Sequence, residues 1–384
     1  MYGAGQARRL LMQPVMDAPL RLQPYTPDPA ALRQPLPFDL YTDRGVLVSR
    51  SGSLFRQPNP LLEGRQLFRI ADDATDGHCE TLDLLAGRAR DYARIAGSWG
   101  CQAKDAQRVD AIAQGLIELA RADSAMCSGM AVHTATDSHA VNHSFAVAAT
   151  AVALGIWLGL DDRTLTTLAK AALTMNVSSL ALHDDCAAQR GPLEAELRSD
   201  IGSHPLLAAG VLTRTPGTDV RWIEAVEQHH ENTDGSGYPY GNRRDAIPLE
   251  ARILRVADVW CALSNPGGDR IGAPPKAILA ELQQSERRRL DDRVLFELKK
   301  QFGPYPPGSL VRLVNRETAL VTGWSRGAPA PKFVVSVLRP SGEVDHSPKL
   351  RLTSRRGFEI RGSAPCSANE LRRVPWSRAW ALAA

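Results

Sequence analysis

The run His229-His230-Glu231-Asn232-Thr233-Asp234-Gly235-Ser236-Gly237-Tyr238-Pro239 constrains this chain more than any other. Two adjacent imidazoles and two carboxylates stand just before a Gly/Pro-rich turn. Imidazole is the commonest metal-ligating side chain, and glycine permits the unusual backbone of a tight loop. Such a loop can hold ligands still.

The length of 384 residues allows two or three domains with a buried core. Net charge is +4, from 46 basic and 42 acidic residues, too small to argue for nucleic acid. The six cysteines are scattered, with no CxxC pair, which argues against a zinc ribbon or disulfide framework and fits a reducing cytoplasm. No basic segment followed by an apolar one marks a secretory signal. The longest uncharged, mostly apolar run, Phe145 to Leu160, falls short of the roughly 20 residues a spanning helix needs. It reads as a buried core helix, and no membrane partner is expected.

Residues 1–35 are rich in Pro, Gln and Arg without a sustained period and read as a flexible tail. Residues 36–78 read as a small β-rich module, with a hairpin across 37–48 where two apolar runs flank Asp43-Arg44-Gly45. Residues 79–303 read as helical, with Leu82, Leu85, Ala86 and Ala89 on one face and Ile112, Leu116, Ile117 and Ala120 on another. Helical signal recurs at 141–160, 164–182, 192–213, 219–231, 249–264, 274–284 and 290–302. Residues 304–384 read as a β-rich extension with strands at 309–314, 318–321 and 333–338 and a basic tail. The expected fold class is mainly α, a helical bundle with small β-rich modules before and after it.

The His229–Pro239 run resembles the HHExxDGxGYP signature of HD-GYP domains, which hydrolyse the bacterial second messenger cyclic di-GMP. That resemblance implies an HD-type bundle and two or three transition-metal ions that activate a water and offset phosphoryl charge. His143-Ser144, His204-Pro205, His229-His230 and the Arg252–Asp258 run match the family's ligand positions, so His143, His204, His229, His230 and Asp258 are the candidate metal ligands. Some members have a glutamate four residues before the first histidine. Here that position is His139, on the same face as His143 if the helix reaches back so far.

The departure is in the middle. Where the family has Ala-Ala-Leu-Leu-His-Asp-Ile-Gly-Lys, this chain has Ala171-Ala172-Leu173-Thr174-Met175-Asn176-Val177-Ser178-Ser179. Met175 offers a thioether, a poor ligand for these metals. Asn176 keeps the shape of aspartate without its charge, and Ser179 removes a cation that would face phosphate. No catalytic residue is therefore assigned. His183-Asp184 is a true His-Asp pair, but the downstream Arg190-Gly191-Pro192-Leu193 register puts it on the loop after the metal helix. It is not expected to replace the missing pair. On the substrate side Arg270 remains as a phosphate contact, while the family's other arginine position is Gly267.

Three readings follow. The first is a degenerate signalling protein that binds cyclic di-GMP or a protein partner with little or no hydrolysis. In it the Gly237-Tyr238-Pro239 loop, which in the family can contact diguanylate cyclase domains, serves as a partner loop. The second is a residual metal-dependent phosphodiesterase with His204, His229 and His230 on one divalent iron, manganese or zinc ion. The third is an interaction protein with no ligand. His143 and Asp258, having lost their shared partners, read equally as ligands or as relics. The basic segment Lys349–Arg378 reads as a solvated, flexible tail rather than a nucleic-acid surface.

Overall fold

The computed structural model describes strand residues 22–25, 40–42, 47–49 and 67–70. From residue 80 to 382 it describes all but 132, 134–135, 190–194, 266–271, 285, 324–327 and 365–373. The chain divides into two compact units, Met1–His78 with Ala381–Ala384, and Cys79–Trp380.

The first unit holds an antiparallel sheet of strands β1 (Leu22–Tyr25), β2 (Leu40–Thr42), β3 (Leu47–Ser49) and β4 (Leu67–Ile70), in the order β1-β4-β2-β3. The expected hairpin is present, with Tyr41 opposite Leu47. Strand β1 corrects the reading of residues 1–35 as a tail, because Leu22 pairs opposite Ile70. Pro24 disguised it. Proline lacks a ladder donor, but β1 is an edge strand, where that loss is tolerated.

The second unit is built on helices α1 (Glu80–Ala96), α2 (Ala103–Ala122), α3 (Ser124–Ala131), α4 (His139–Trp157), α5 (Asp162–Thr174) and α6 (Leu180–Ala188). They are followed by α7 (Ala195–Thr213), α8 (Val220–Glu227), α9 (Leu249–Ser264), α10 (Pro275–Gln284) and α11 (Asp292–Phe302). Helix α4 is the centre of the bundle and packs against α5 and α9. Its run of Ala, Val and Leu is apolar on every side, as a fully enclosed helix must be. It is long and apolar enough to cross a membrane, yet 78% of its most apolar window is buried inside the protein. Ser138, Asp161, Asp219 and Asp291 each accept a hydrogen bond from an N–H in the first turn of α4, α5, α8 and α11. Each satisfies a donor that the helix itself leaves unpaired.

One expected helix is divided. The 164–182 signal becomes α5 and α6, separated by a turn at residues 175–178. Short polar side chains at Asn176, Ser178 and Ser179 favour turns over helix interiors. The backbone there makes tight bonds, from Val177 N to Thr174 O and from Ser179 N to Asn176 O.

The C-terminal sheet lies in the same compact unit as the helices. Strands β5 (Leu310–Leu313), β6 (Thr318–Leu320) and β7 (Phe333–Leu338) stand where expected, joined by β8 (Val344–Leu352) and β9 (Ile360–Ser363) in the order β8-β7-β6-β5-β9. This corrects the reading of Lys349–Arg378 as a flexible tail, residues 365–373 lying outside the described residues. Arg351 grips Glu317 with two bonds of 2.9 and 2.7 Å and covers the Phe358 ring. Helix α12 (Trp376–Ala381) buries Trp380, whose indole donates to Asp123, and stacks Trp376 on His133. Burial of these aromatic side chains outweighs the basic character of the segment.

Candidate metal centre

His204 sits inside α7, immediately before Pro205. Proline has no N–H, so the carbonyl four residues earlier, that of Ile201, has no helical donor. The Nδ1–H of His204 donates to that carbonyl instead. The His-Pro pair is thus one device, in which the proline frees the oxygen that orients the imidazole. His229 repeats the logic at the end of α8. Terminal carbonyls of a helix lack partners, and His229 Nδ1–H donates to Val226 O at 2.6 Å.

Both rings therefore carry their proton on Nδ1 and turn an unprotonated Nε2 inward. Those two nitrogens face each other at 3.1 Å. Lone pair against lone pair is repulsive unless a cation lies between them. With metal–nitrogen bonds of about 2.0–2.1 Å, two nitrogens on one ion stand about 2.9 to 3.3 Å apart, from right-angled to tetrahedral geometry. The observed separation falls in that interval. With His230 the ligand nitrogens lie within 4.8 Å of one another. Burial, reinforced by the neighbouring imidazole of His204, pushes His229 down to about 3. Burial also lowers His204, and it lowers His230 well below the ordinary value, with His229 adding to the effect. At neutral pH all three are uncharged, the form that binds metal. The donor set fits a divalent transition ion.

His143 and Asp258 meet beside this trio. His143 Nε2–H donates to Asp258 Oδ1 at 2.8 Å, joining α4 to α9. Burial alone would raise the Asp258 carboxyl, but the bond and charge of His143, with His230 and Arg255, hold it well below the carboxylate range. Arg255 bridges Asp258 Oδ2 at 3.5 Å and Asn232 Oδ1 at 3.0 Å. It lies within the Arg252–Asp258 run, where residue type alone gives it no role. Helix α4 does reach back to His139, whose ring stacks 6.1 Å from that of His143.

Met175 and Asn176 are buried where α5 ends, and Ser179 is buried at the start of α6. Asn176 Nδ2 donates to Ser144 Oγ at 3.3 Å, while Asn176 Oδ1 and Ser179 Oγ are buried without hydrogen-bond partners. Arg270 lies outside the described residues. His183 is on helix α6 rather than on a loop, and its ring stands edge-on to His204 with centroids 4.9 Å apart.

The Gly237-Tyr238-Pro239 loop is half-buried and packs onto the centre. Tyr238 stacks on His230 with ring centroids 4.8 Å apart. Glu231 Oε1 accepts from Tyr240 N at 2.6 Å and Gly241 N at 3.1 Å, so this carboxylate anchors the loop. A Cβ at Gly237 would lie 2.3 Å from Asn232 N and 2.5 Å from His230 O, both backbone atoms with little freedom to yield. Gly237→Ala is expected to lower stability by about 1–3 kcal/mol, as overpacking does, and to weaken metal uptake by shifting His230. Chemical denaturation and a metal titration check both effects. An unchanged midpoint with unchanged affinity would show that the loop does not position His230.

A family model described as HD domain matches residues 121–294. The chain is 27% identical over 186 residues to the cyclic di-GMP phosphodiesterase PA4108 of Pseudomonas aeruginosa, covering 48% of this chain and 45% of that protein. It is 33% identical over 140 residues to the cyclic di-GMP phosphodiesterase response regulator RpfG of Xanthomonas campestris, covering 35% and 36%. These matches span less than half the length of either relative. Among solved structures, Bd1817, an HDG"Y"P protein from Bdellovibrio bacteriovorus, aligns with a TM-score of 0.48 at 17% identity. That alignment covers 69% of this chain and 94% of that one.

Proposed function

Residues 121–294 form an HD domain of the HD-GYP family, and from that premise we propose that this chain is a signalling protein that binds cyclic di-GMP at a metal centre and turns it over little or not at all. One observation carries the metal: the two unprotonated Nε2 atoms of His204 and His229, aimed at each other at 3.1 Å. His204, His229 and His230 would hold one divalent iron, manganese or zinc ion. When bound, such an ion attracts phosphate oxygens and lowers the pKa of a coordinated water. The hydrogen-bonded pair of His143 and Asp258 lies beside it, and Arg255 offers a positive charge at the edge.

The expectation of weak turnover rests on Met175 and Asn176. A thioether and a neutral amide stand where the resemblance calls for an imidazole and a bridging carboxylate. Asn176 also commits its amide N–H to Ser144. Without a second anionic ligand, two cations at close range repel each other unscreened. We assign the protein to the cytoplasm, in keeping with free thiols at Cys101, Cys127, Cys186 and Cys261. The exposed rim of the Gly237–Tyr240 loop is the surface it would offer a diguanylate cyclase domain.

The deciding experiment pairs a cyclic di-GMP binding isotherm with a turnover assay on metal-loaded protein. Saturable, metal-dependent binding without linear product is the expected result. Steady hydrolysis with manganese or iron, abolished by His229→Ala, would establish instead the residual phosphodiesterase that the names of the relatives suggest. No metal and no nucleotide bound would leave a ligand-free interaction protein.

A further inference from the structure

Helix α6 contributes a residue that the three-histidine reading does not use. We propose that His183 is a further metal ligand of this centre, because its Nε2 is buried without a hydrogen-bond partner on a ring packed edge-on against His204. The proposal rests on the reading of His204, His229 and His230 as a metal site.

The orientation of His183 is fixed from outside the centre. Asp184 Oδ1 accepts from Ala140 N at 2.8 Å, one of the unpaired donors at the start of α4. Successive helical residues are about 100° apart, so pinning Asp184 sets the direction of His183 as well. Ser178 Oγ donates to His204 O at 3.4 Å and ties the preceding turn to α7. Between these two ties, His183 has little freedom to turn away from His204.

A buried nitrogen with no partner costs about 1–3 kcal/mol. Packing alone does not repay that, since a phenyl ring would give the same edge-on contact without the penalty. Three imidazoles leave one position of a tetrahedral ion open, and the His183 ring lies edge-on against His204, at the border of the trio. Asn176 Oδ1, in the turn that precedes α6, is a second buried acceptor without a partner.

The test uses the full chain, stripped by chelator and titrated with cobalt(II), whose visible bands report the number and kind of ligands. Wild type is compared with His183→Phe, His183→Ala and His229→Ala. Phenylalanine keeps the ring and removes the nitrogen. His183→Phe is expected to bind cobalt at least ~10-fold more weakly, the lower bound for disturbing a metal's surroundings, and to change its band pattern. Free imidazole should restore the wild-type spectrum in His183→Ala, which a purely structural role would not allow. This rescue decides the matter even if His183→Phe folds poorly. Wild-type affinity and spectrum in His183→Phe, with binding lost in His229→Ala, would overturn the proposal and leave the three-histidine site standing. Failure of wild type to take up cobalt would remove both.

Discussion

Met175→His, Asn176→Asp and Ser179→Lys introduced together are expected to raise cyclic di-GMP hydrolysis by at least ~100-fold with manganese or iron. The estimate follows from the 10–100-fold cost of disturbing a single outer-shell partner, because two of these changes act on the ligands themselves. The structure can accommodate them. Met175 ends α5 in helical backbone geometry and is buried, so an imidazole of similar reach replaces the thioether. Asn176 already meets Ser144 Oγ, and an aspartate there would accept from that hydroxyl. The result is read by the appearance of linear dinucleotide, with metal content measured alongside. A variant that takes up additional metal and stays silent would mean that the substrate side, not the ligand set, has been lost.

Acid is expected to destabilise the metal-free protein well before ordinary acid denaturation. Burial, then the charges of neighbouring imidazoles, lowers His183 and His229 from 6.5 to about 3. His204 and His230 move in the same direction. The facing nitrogens of His204 and His229 can share one proton between them but not two, so the folded cluster still binds fewer protons than the unfolded chain. Stability is then complete above about pH 6.5 and falls as pH drops toward 3, since the unfolded state binds more protons in that window. Each imidazole that stays neutral in the folded state costs about 2 kcal/mol of stability at pH 5. Asp258, held low, adds its loss only below its ordinary value of 3.8. Urea melts of stripped protein at pH 7.5, 6 and 5 measure the slope. A flat profile across that range would show that the histidines are solvated and do not form a closed cluster.

Much of this was legible in the chain. The i, i+3, i+4 apolar spacing of the helical region survives as α1 and α2, because one face of each helix has to be buried. The short apolar run Phe333–Leu338 survives as β7, buried on both faces from Val334 onward. The pairing of His204 with Pro205 was visible, though its purpose was not. That purpose needs the carbonyl of Ile201, whose lack of a donor is a property of the helix rather than of the residue. Strand β1 was hidden by Pro24, which is tolerated only because the strand lies at an edge. The basic C-terminal segment was misread because charge is counted locally, whereas the burial of Trp380 against Asp123 spans 257 residues.

Sequence by itself determined the helical class, the likeness to HD-GYP domains, and the replacements at Met175, Asn176 and Ser179. These depend on residue type and short spacing, which are local. Only the tertiary structure decided which candidates meet. It brought His204, His229 and His230 within ligand distance and paired His143 with Asp258. It also turned His183, read as a loop residue, to face His204. Those contacts join α4, α6, α7 and α9 with the turn after α8. Their geometry is set by how the helices pack, and packing is a sum over the whole core that no single stretch of chain contains.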